Sequence, residues 1–250
     1  MKAMILAAGL GTRLGPLTND RPKALVEVGG RTMLELTLAR LRSFGISEVI
    51  INTHHFADMV ADFLSQHQNF GMHIEISREE ILLDTGGGIK QAAHFFLGSD
   101  EPFLVHNVDV LSTIDFGRML EFHVDRNALG TLAVQDRPTS RYLLFDGKDQ
   151  LCGRRAGLTG TSELVRPVEE AHALAFSGIH ILSPRIFSLM REDGAFSVIP
   201  VYLRLAAQNE SLCAFPADQY HWRDLGRPEH LAEAACEIAQ GIYQNQFPPT

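Results

Sequence analysis

Residues Met1–Leu14, MKAMILAAGLGTRL, are the stretch of this 250-residue chain that decides its fold. The apolar run Ala3–Ala7 predicts a buried β-strand, and small residues with two glycines, Gly9 and Gly11, follow it directly. Small residues let a ligand approach the backbone, and consecutive N–H groups in such a loop bind anions. The stretch therefore predicts a strand that runs into a phosphate-binding loop.

Two cations follow this loop. Arg13 ends it, and Lys23 lies in Arg21–Leu25 (RPKAL), where Pro22 fixes the chain just before the lysine. The pattern differs from the Rossmann GxGxxG motif, and no Gly-Lys-Ser/Thr follows as it would in a P-loop. The glycines alone would also suit a plain tight turn, but a plain turn has no use for both cations. We therefore predict a nucleotide-handling enzyme.

Composition narrows the class of protein. The chain is 45% hydrophobic and 21% charged, and its formal net charge of −8 argues against a general affinity for nucleic-acid backbones. The three cysteines, Cys152, Cys213 and Cys236, form no CxxC pair, so neither disulfides nor a zinc site is expected. No signal-peptide pattern and no apolar run of about 18 residues is present, so we expect a cytoplasmic protein without a membrane partner.

The first half of the chain alternates strand and helix patterns. This alternation predicts βαβ units and a largely parallel sheet covered on both faces. We place strands at Ala3–Ala7, Val49–Asn52, His73–Ser77 and Pro102–His106, and helices at Thr32–Phe44, Phe56–Phe70, Gly88–Leu97 and Asp115–Arg126, with Asp115 as an N-cap.

The pattern changes after Gly130, where β-like runs alternate with turn-rich stretches. We expect antiparallel strands at Leu132–Gln135, Tyr142–Phe145 and Ala175–Leu182, turns at Arg137–Ser140, Asp146–Gln150 and Arg154–Ser162, helices at Val201–Gln208 and Pro228–Gln240, and a frayed tail at Phe247–Thr250. We predict a single α/β domain over residues 1–250, Rossmann-like, with three α/β/α layers and a mixed, mostly parallel sheet. Residues 1–128 would form its nucleotide-binding half, and residues 129–250 the half that faces the second substrate, with the C-terminal helix.

Two aspartates stand where a divalent ion would bind. Asp109 ends the buried-type strand Phe103–Asp109, and ligands of open α/β sheets bind beyond the carboxyl ends of the strands. Asp224 lies far downstream in Tyr220–Gly226 (YHWRDLG). Two carboxylates suit Mg²⁺, which completes its coordination with water and phosphate oxygens. A strand-end aspartate is also often only a turn cap.

A second glycine cluster, Asp84–Gly88 (DTGGG), stands directly before a helical pattern. Bare backbone at a helix start would admit a flat ligand such as a base or a ribose. A flexible helix start explains the same glycines equally well.

Several motifs together carry a family resemblance over almost the whole chain. They are Leu6–Leu14 (LAAGLGTRL), Arg21–Leu25 (RPKAL), Asn107–Asp109 (NVD), Phe176–Pro184 (FSGIHILSP) and Trp222–Gly226 (WRDLG). In this order they resemble the nucleotidyltransferases that make NDP-sugars from a sugar 1-phosphate. The short length and the DTGGGI stretch are similar to the compact bacterial branch that includes N-acetylmuramate-1-phosphate uridylyltransferase and small hexose- or heptose-1-phosphate nucleotidyltransferases.

The resemblance implies the nucleotide-diphospho-sugar transferase fold, an NTP (UTP favoured) and a sugar 1-phosphate as substrates, and Mg²⁺ as the cofactor. It implies site residues for each part of the reaction. Ala8, Gly9, Gly11 and Thr12 would hold the nucleoside and phosphates, Gly86 and Gly87 the base or ribose, Arg13 the leaving pyrophosphate, Lys23 the α-phosphate, and Asp109 and Asp224 the Mg²⁺.

The sequence departs from the family pattern in two places. Val108 stands where the family's Asn-Gly-Asp has glycine, and Val165–Pro167 (VRP) replaces the Glu-Lys-Pro that often contacts the sugar phosphate. The missing lysine leaves the phosphate cation open between Arg141, Arg154, Arg155 and Arg166. Weaker candidates for the sugar-phosphate site are Arg141, Tyr142, Glu163, Ser177 and Gly178.

Two other functions stay open at this point. One is a related transferase that uses CTP or GTP with another phosphate acceptor, such as phosphocholine, and the other is a non-catalytic sensor of a sugar nucleotide. Sensors keep the fold while losing cations or carboxylates, whereas Arg13, Lys23, Asp109 and Asp224 all remain here. Members of the family often form homo-oligomers, and the sequence leaves the oligomeric state open.

Overall fold

A computed structural model describes residues 1–243 of the chain; the predicted tail Phe247–Thr250 lies outside the described residues. The strands, in chain order, are β1 Ala3–Leu6, β2 Glu27–Val28, β3 Arg31–Thr32, β4 Glu48–Thr53, β5 His73–Arg78, β6 Phe103–Asn107, β7 Val110–Ser112, β8 Gly130–Gln135, β9 Arg141–Phe145, β10 Leu151–Ala156, β11 Ser162–Leu164, β12 His172–Leu182, β13 Leu212–Pro216 and β14 Trp222–Asp224. The α-helices are α1 Met33–Ser43, α2 Ala57–Gln66, α3 Asp84–Gln91, α4 Ala93–Phe96, α5 Phe116–Asp125, α6 Ile186–Leu189, α7 Val198–Ala207 and α8 Pro228–Ala239. Short 3₁₀ segments cover Thr12–Thr18, Lys23–Leu25 and Gln68–Gly71.

One mixed sheet joins both halves of the chain. Its first-half strands are parallel, as predicted, and lie in the order β5-β4-β1-β6. The antiparallel strand β12 lies beside β6, and β9, β10 and β11 extend the sheet beyond it. Strand β8 pairs with β12 on one side and in parallel with β13 on the other.

Helices cover both faces of this sheet, so the predicted α/β class with three layers is confirmed. In β1, Ala3 and Ile5 face one hydrophobic core, while Met4 faces the other. The first core includes side chains from α1, α2, α5 and α8, and the second includes side chains from α3, α4, α6 and α7. This two-sided burial explains why the parallel strands are almost continuously apolar.

Local capping sets the start of two predicted helices. Thr32 caps α1 through a hydrogen bond from the Glu35 backbone N–H, at 3.1 Å. Asp115 caps α5 as predicted, because its carboxylate accepts from the Arg118 N–H at 3.0 Å. Both contacts satisfy backbone donors that the first helical turn leaves free.

Some predicted boundaries were wrong. The helix expected to reach Phe70 ends at Gln66, because Gln68 and the two residues after it have positive φ angles. The helix expected at Gly88–Leu97 begins earlier, at Asp84, and is interrupted at Ala92. The glycine cluster therefore forms the first turns of α3 instead of preceding the helix.

The second half contains strands that the sequence pattern did not indicate. The stretch Arg154–Ser162, expected to be turns, contains the end of β10 and the first residue of β11. Strand β13 and the small β7–β14 sheet were also not predicted. Among residues 1–243, none of the helices combines the length and the apolar character needed to cross a bilayer.

Candidate active site

Two cavities meet at the carboxyl end of β6. The larger has a volume of about 1030 Å³ and the smaller about 310 Å³, and Asn107 and Asp109 belong to the walls of both. The smaller cavity is built from the first half of the chain, whereas β9, β10 and β12 contribute to the larger one. One strand end thus separates two binding spaces.

The smaller cavity is lined by the loop after β1. Ala8 and Gly9 lie on its wall, as predicted for a phosphate-binding loop. Asn52, at the end of β4, accepts a hydrogen bond from the Ala7 N–H at 2.8 Å and donates one to Glu79 Oε1 at 2.7 Å. The other carboxylate oxygen of Glu79 accepts from the Leu83 N–H at 2.9 Å. This buried network fixes the loop against the segment that forms the opposite wall.

Lys23 and Asp109 form an ion pair at the junction of the cavities. The Lys23 ammonium donates to Asp109 Oδ2, and the two side chains are only 9% and 17% exposed. Pro22 precedes the short 3₁₀ turn that carries Lys23, so the lysine leaves an ordered segment. The predicted phosphate cation and the predicted metal ligand are therefore neighbours.

The two predicted metal ligands are brought together by a short pair of strands. Residue Asp224 of β14 pairs with Val110 of β7, and the Leu225 N–H donates to the Asp109 carbonyl at 2.7 Å. Within the described residues, no cluster of three or more His, Cys, Asp or Glu side chains is arranged to hold a metal ion. Two carboxylates beside a phosphate-sized space fit Mg²⁺, which takes few protein oxygens and fills its octahedron with water and phosphate oxygens.

Arg13 approaches the same carboxylate from the larger cavity. Its Nη2 lies 4.0 Å from Asp224 Oδ2, and its side chain is 58% exposed. Gly226 makes this approach possible, because a Cβ there would lie 2.6 Å from Asp224 Oδ1 and 2.7 Å from Arg13 Nη2. Packing between Asp224 and Arg13 thus explains why the WRDLG stretch has a glycine at this position.

All five weaker candidates lie on the wall of the larger cavity: Arg141, Tyr142, Glu163, Ser177 and Gly178. Gly178 has a φ of +73°, and a Cβ there would lie 2.7 Å from the Asn107 side chain. Its lack of a side chain therefore makes room for Asn107 at the boundary between the two cavities.

The four candidate arginines for the missing lysine differ in placement. Arg154 pairs with Glu163 at 2.6 Å, and Arg155 lies over the Tyr142 ring, 5.2 Å from its centroid. Arg166 is bound to Asp146 at 2.5 Å and does not line either cavity. Arg166, which occupies the motif position, is therefore held away from both cavities.

Arg137 lines the larger cavity and was missed by sequence analysis, which placed it only in a turn. Its guanidinium carbon lies 3.7 Å from the centroid of the Trp222 ring system, and Nη2 donates to the Phe176 carbonyl at 3.0 Å. Burial lowers the pKa of Arg137, while the charge of Asp224 raises it. Because its partners lie 39 and 85 positions away, no local pattern marks this residue.

Four predicted nucleotide-binding residues lie on neither cavity wall: Gly11, Thr12, Gly86 and Gly87. Gly86 and Gly87 are buried, and both N–H groups donate to the Phe196 carbonyl. A Cβ on Gly86 would lie 2.5 Å from the Phe196 ring, and one on Gly87 would lie 2.5 Å from the Gly194 carbonyl oxygen. The structure thus places these two glycines in helix packing, which differs from the expected contact with a base or ribose.

The valine of the NVD stretch has a simple explanation. Val108 is 3% exposed and packs in the core that includes α1 and α5. The β-branched side chain therefore serves packing, and it leaves Asp109 at the predicted position.

Comparisons with known proteins agree with this architecture. The sequence profile of a family described as "Nucleotidyl transferase" matches residues 2–241. The chain is 34% identical to the N-acetylmuramate alpha-1-phosphate uridylyltransferase of Caulobacter vibrioides, over 95% of this chain and 97% of that protein. The protein of the same name from Neisseria meningitidis is 31% identical, over 94% and 96%.

Other relatives differ in length or similarity. The mannose-1-phosphate guanyltransferase of Yarrowia lipolytica is 31% identical, and the match covers 94% of this chain but 63% of that protein. The crystal structure of HddC from Yersinia pseudotuberculosis, complexed with GMP-PN, has a TM-score of 0.75 at 23% identity. The match covers 95% of this chain and 99% of HddC, which shows a shared fold.

Proposed function

The chain belongs to the nucleotidyl transferase family, and we propose that it transfers a uridylyl group from UTP to a sugar 1-phosphate, releasing pyrophosphate. The observation that carries this proposal is the junction of the two cavities at Asn107 and Asp109. A nucleotide in the smaller space and a sugar phosphate in the larger one would meet beside Lys23, Asp109 and Asp224.

The reaction needs alignment and charge neutralisation more than acid–base chemistry. A phosphate monoester has a second pKa of about 6, so the acceptor is largely a dianion at pH 7. One of its oxygens would attack the α-phosphorus of the NTP, and the bond from this phosphorus to the oxygen that bridges to the β-phosphate would break. Both groups must be held in line, and the charge on the phosphates must be offset.

The cations would share this task. Lys23 would exchange its contact with Asp109 for the α-phosphate, and Arg13, on the exposed side of Asp224, would meet the departing pyrophosphate. Asp109 and Asp224 would hold Mg²⁺, which, when bound, offsets the charge of the phosphate oxygens. Asn107 would stay at the boundary, fixed by the space that Gly178 leaves.

The preference for UTP rests on the relatives. Of the relatives named above with at least 30% identity, those from Caulobacter vibrioides and Neisseria meningitidis align over nearly their full length and are named uridylyltransferases, whereas the guanyltransferase of Yarrowia lipolytica extends well beyond the matched region. HddC also matches over 99% of its length, but at 23% identity, and its structure is complexed with GMP-PN. GTP is the second candidate for the same site. The smaller cavity, with its volume of about 310 Å³, does not by itself choose between them.

For the acceptor we propose a sugar 1-phosphate that carries a second anionic group, such as N-acetylmuramate 1-phosphate. Three arginines on the outer strands support this: Arg141, Arg154 and Arg155 all line the larger cavity. One carboxylate, Glu163, lies among them and pairs with Arg154. N-acetylmuramate bears a carboxylate that these cations would bind, and mannose does not.

Pyrophosphate release tests the proposal directly. The protein with Mg²⁺ would be assayed against UTP, GTP, CTP, ATP and dTTP, each with N-acetylmuramate α-1-phosphate, mannose 1-phosphate, glucose 1-phosphate and phosphocholine. Release that requires UTP and N-acetylmuramate α-1-phosphate is the expected result. Pyrophosphate release with a different NTP and acceptor would show that the proposed substrates are wrong. No release with any combination, together with tight binding of an NDP-sugar, would favour the non-catalytic sensor. A cytoplasmic location, the absence of a nucleic-acid partner and homo-oligomer formation stay predictions.

A further inference from the structure

The larger cavity lacks the lysine that contacts the sugar phosphate elsewhere in the family, and the arginine at the matching motif position is turned away. Arg166 is held by Asp146 in a pair whose side chains are 18% and 21% exposed. Arg154 is bound by Glu163, and Arg155 donates to the Gly157 carbonyl at 3.2 Å. Arg141 also lines this cavity, but it is exposed, so water already solvates its charge and an anion would relieve less cost there than at a buried cation. A more buried cation on the cavity wall is therefore the better candidate.

Arg137 is held in one position on that wall from two sides. The indole of Trp222 supports its guanidinium, and the Phe176 carbonyl of β12 accepts from Nη2. Trp222 itself is fixed, because its Nε1 donates to the Ser177 carbonyl at 2.7 Å. Since Trp222 lies two residues before Asp224, this arrangement places the guanidinium near the predicted metal ligands.

Arg137 forms no ion pair with any carboxylate of residues 1–243. In residues 1–243, no carboxylate lies within 4.0 Å of it, although the side chain is half-buried and its Nε is shielded without a hydrogen-bond partner. Asp224 is near enough to act on its charge but is not in contact. A half-buried cation without an anion is costly, and an incoming anion would relieve that cost.

Arg40 shows what makes Arg137 different. Arg40 is also buried, donates to the Ile114 carbonyl and stacks on Phe44 and Phe116, so aromatic support alone can hold a guanidinium. Arg40, however, lies on neither cavity wall, whereas Arg137 does. Only Arg137 of the two can be reached by a ligand in the larger cavity.

We propose that Arg137 binds the phosphate of the sugar 1-phosphate and takes the place of the lysine that the chain lacks. A planar guanidinium matches a phosphate with two parallel hydrogen bonds, and stacking on Trp222 sets its plane before the substrate arrives. The inference rests on the proposed function for the identity of the ligand. The sequence left the residue that contacts the sugar phosphate open among four other arginines, and the proposal assigns this contact to Arg137.

Kinetics of three variants test this assignment. Arg137→Gln removes the charge, Arg137→Lys keeps the charge without the planar group, and Arg126→Gln removes a charge from an exposed pair outside both cavities. We expect Arg137→Gln to raise KM for the sugar 1-phosphate about 10- to 100-fold and to change KM for the NTP less than about threefold. Arg137→Lys should have a KM for the sugar 1-phosphate between those of the wild type and Arg137→Gln, and Arg126→Gln should have the wild-type KM.

The single tryptophan of the chain gives a second readout that needs no turnover. Because Trp222 stacks on Arg137, its fluorescence should change in the wild type when N-acetylmuramate α-1-phosphate binds, and not with N-acetylmuramate. Because Trp222 also lines the larger cavity, the change is assigned to Arg137 only if the phosphate-dependent part is lost in Arg137→Gln, which is the expected result. Equal increases in both KM values, together with a lower melting temperature, would show a structural role and overturn the proposal. An unchanged KM for the acceptor, or no phosphate-dependent fluorescence change in the wild type, would overturn it too.

The two proposals fail in different ways. If the wild type releases no pyrophosphate with any substrate pair, the proposed function fails, and the fluorescence titration still tests Arg137 as a phosphate-binding residue. If the wild type turns over normally and Arg137→Gln has an unchanged KM for the acceptor, only the assignment of Arg137 fails.

Discussion

Lys23 and Asp109 are bound to each other at the point where the two cavities of this protein meet. The lysine is buried, and within the described residues Asp109 is the one carboxylate that pairs with its ammonium. A nucleotide phosphate would give the lysine a second anion and free the carboxylate for a metal ion. In the proposed reaction, the two groups would separate and each would bind a different partner.

Replacing Asp109 tests both its proposed role as a metal ligand and its ion pair with Lys23. Asp109→Asn should lower kcat at least about 100-fold, because it removes a metal ligand without changing volume. It should also lower the free energy of unfolding by about 1–3 kcal/mol, since Lys23 is left buried without its carboxylate. Pyrophosphate release and denaturant unfolding measure the two effects. Full activity in this variant would rule out the metal assignment.

Replacing Lys23 separates binding from transition-state stabilisation. Lys23→Ala should lower kcat by a larger factor than it raises KM for the NTP, if the lysine acts mainly on charge that develops at the α-phosphate. Steady-state kinetics with saturating acceptor give both constants. A change in KM alone would make Lys23 a binding residue only.

A side chain at Gly226 should disturb the site more than the fold. In Gly226→Ala the new methyl group would lie 2.6 Å from Asp224 Oδ1 and 2.7 Å from Arg13 Nη2, so it should displace both. We expect kcat/KM to fall about 10-fold or more, with little loss of stability, because both neighbours are side-chain ends at the cavity. Gly147→Ala is the control, since a Cβ at that exposed turn meets nothing within 4 Å. Equal activity of the two variants would contradict the prediction.

Gly86 should matter for folding and not for nucleotide binding. In Gly86→Ala the methyl group would lie 2.5 Å from the Phe196 ring and 2.9 Å from its carbonyl oxygen. Such overpacking typically costs about 1–3 kcal/mol, so the melting temperature should fall. KM for the NTP should stay within about twofold of the wild type if the glycine only packs. A raised KM with unchanged stability would restore Gly86 to the nucleotide site.

Acid should destabilise the protein through a buried histidine. Burial lowers the pKa of His123 to about 4, against about 6.5 in an unfolded chain. Between these two pKa values His123 is protonated in the unfolded state and neutral in the folded state. The free energy of unfolding therefore falls as the pH drops from about 6.5 to about 4. At pH 5 the loss from His123 is about 2 kcal/mol.

The matched variant is His123→Gln, measured by denaturant unfolding at pH 7 and pH 5. Glutamine keeps polar atoms near Thr131 and Ser183, which contact the two ring nitrogens at 2.9 Å and 3.0 Å. The difference in unfolding free energy between the two pH values should be about 2 kcal/mol smaller in the variant than in the wild type. An equal difference in both proteins would show that other groups set the acid sensitivity.

Features with a local cause were predictable from the sequence. The Asp115 cap depends on the first turn of one helix, and the parallel direction of the first four sheet strands follows from the βαβ pattern, although their order was not predicted. That Asp109 and Asp224 lie on the wall of one cavity was expected only through the family resemblance, because it depends on a short strand pair that no pattern indicated. Their roles, like those of the other site residues, stay predictions.

Features with distant partners were not predictable. Strand β13 is a short buried run that joins the sheet only because β8 lies beside it. Arg137 gains its position from Phe176 and Trp222, and Gly86 is explained by Phe196, more than 100 positions away. The sequence around Gly86 is compatible with a ligand or with an aromatic ring next to the glycine, so it does not indicate which of the two lies there.

Strand β12 has a mechanical consequence for catalysis. Its N-terminal residues pair with β9 on the acceptor side, and its C-terminal residues pair with β6 beside the nucleotide loop. The two sides therefore share one continuous strand, but its register with β8 shifts between Phe176 and His180, and Gly178 between them has a φ of +73°. Because both ladders can stay intact while β12 bends at this irregularity, any change in the width of the cleft would be concentrated at Gly178, beside Asn107.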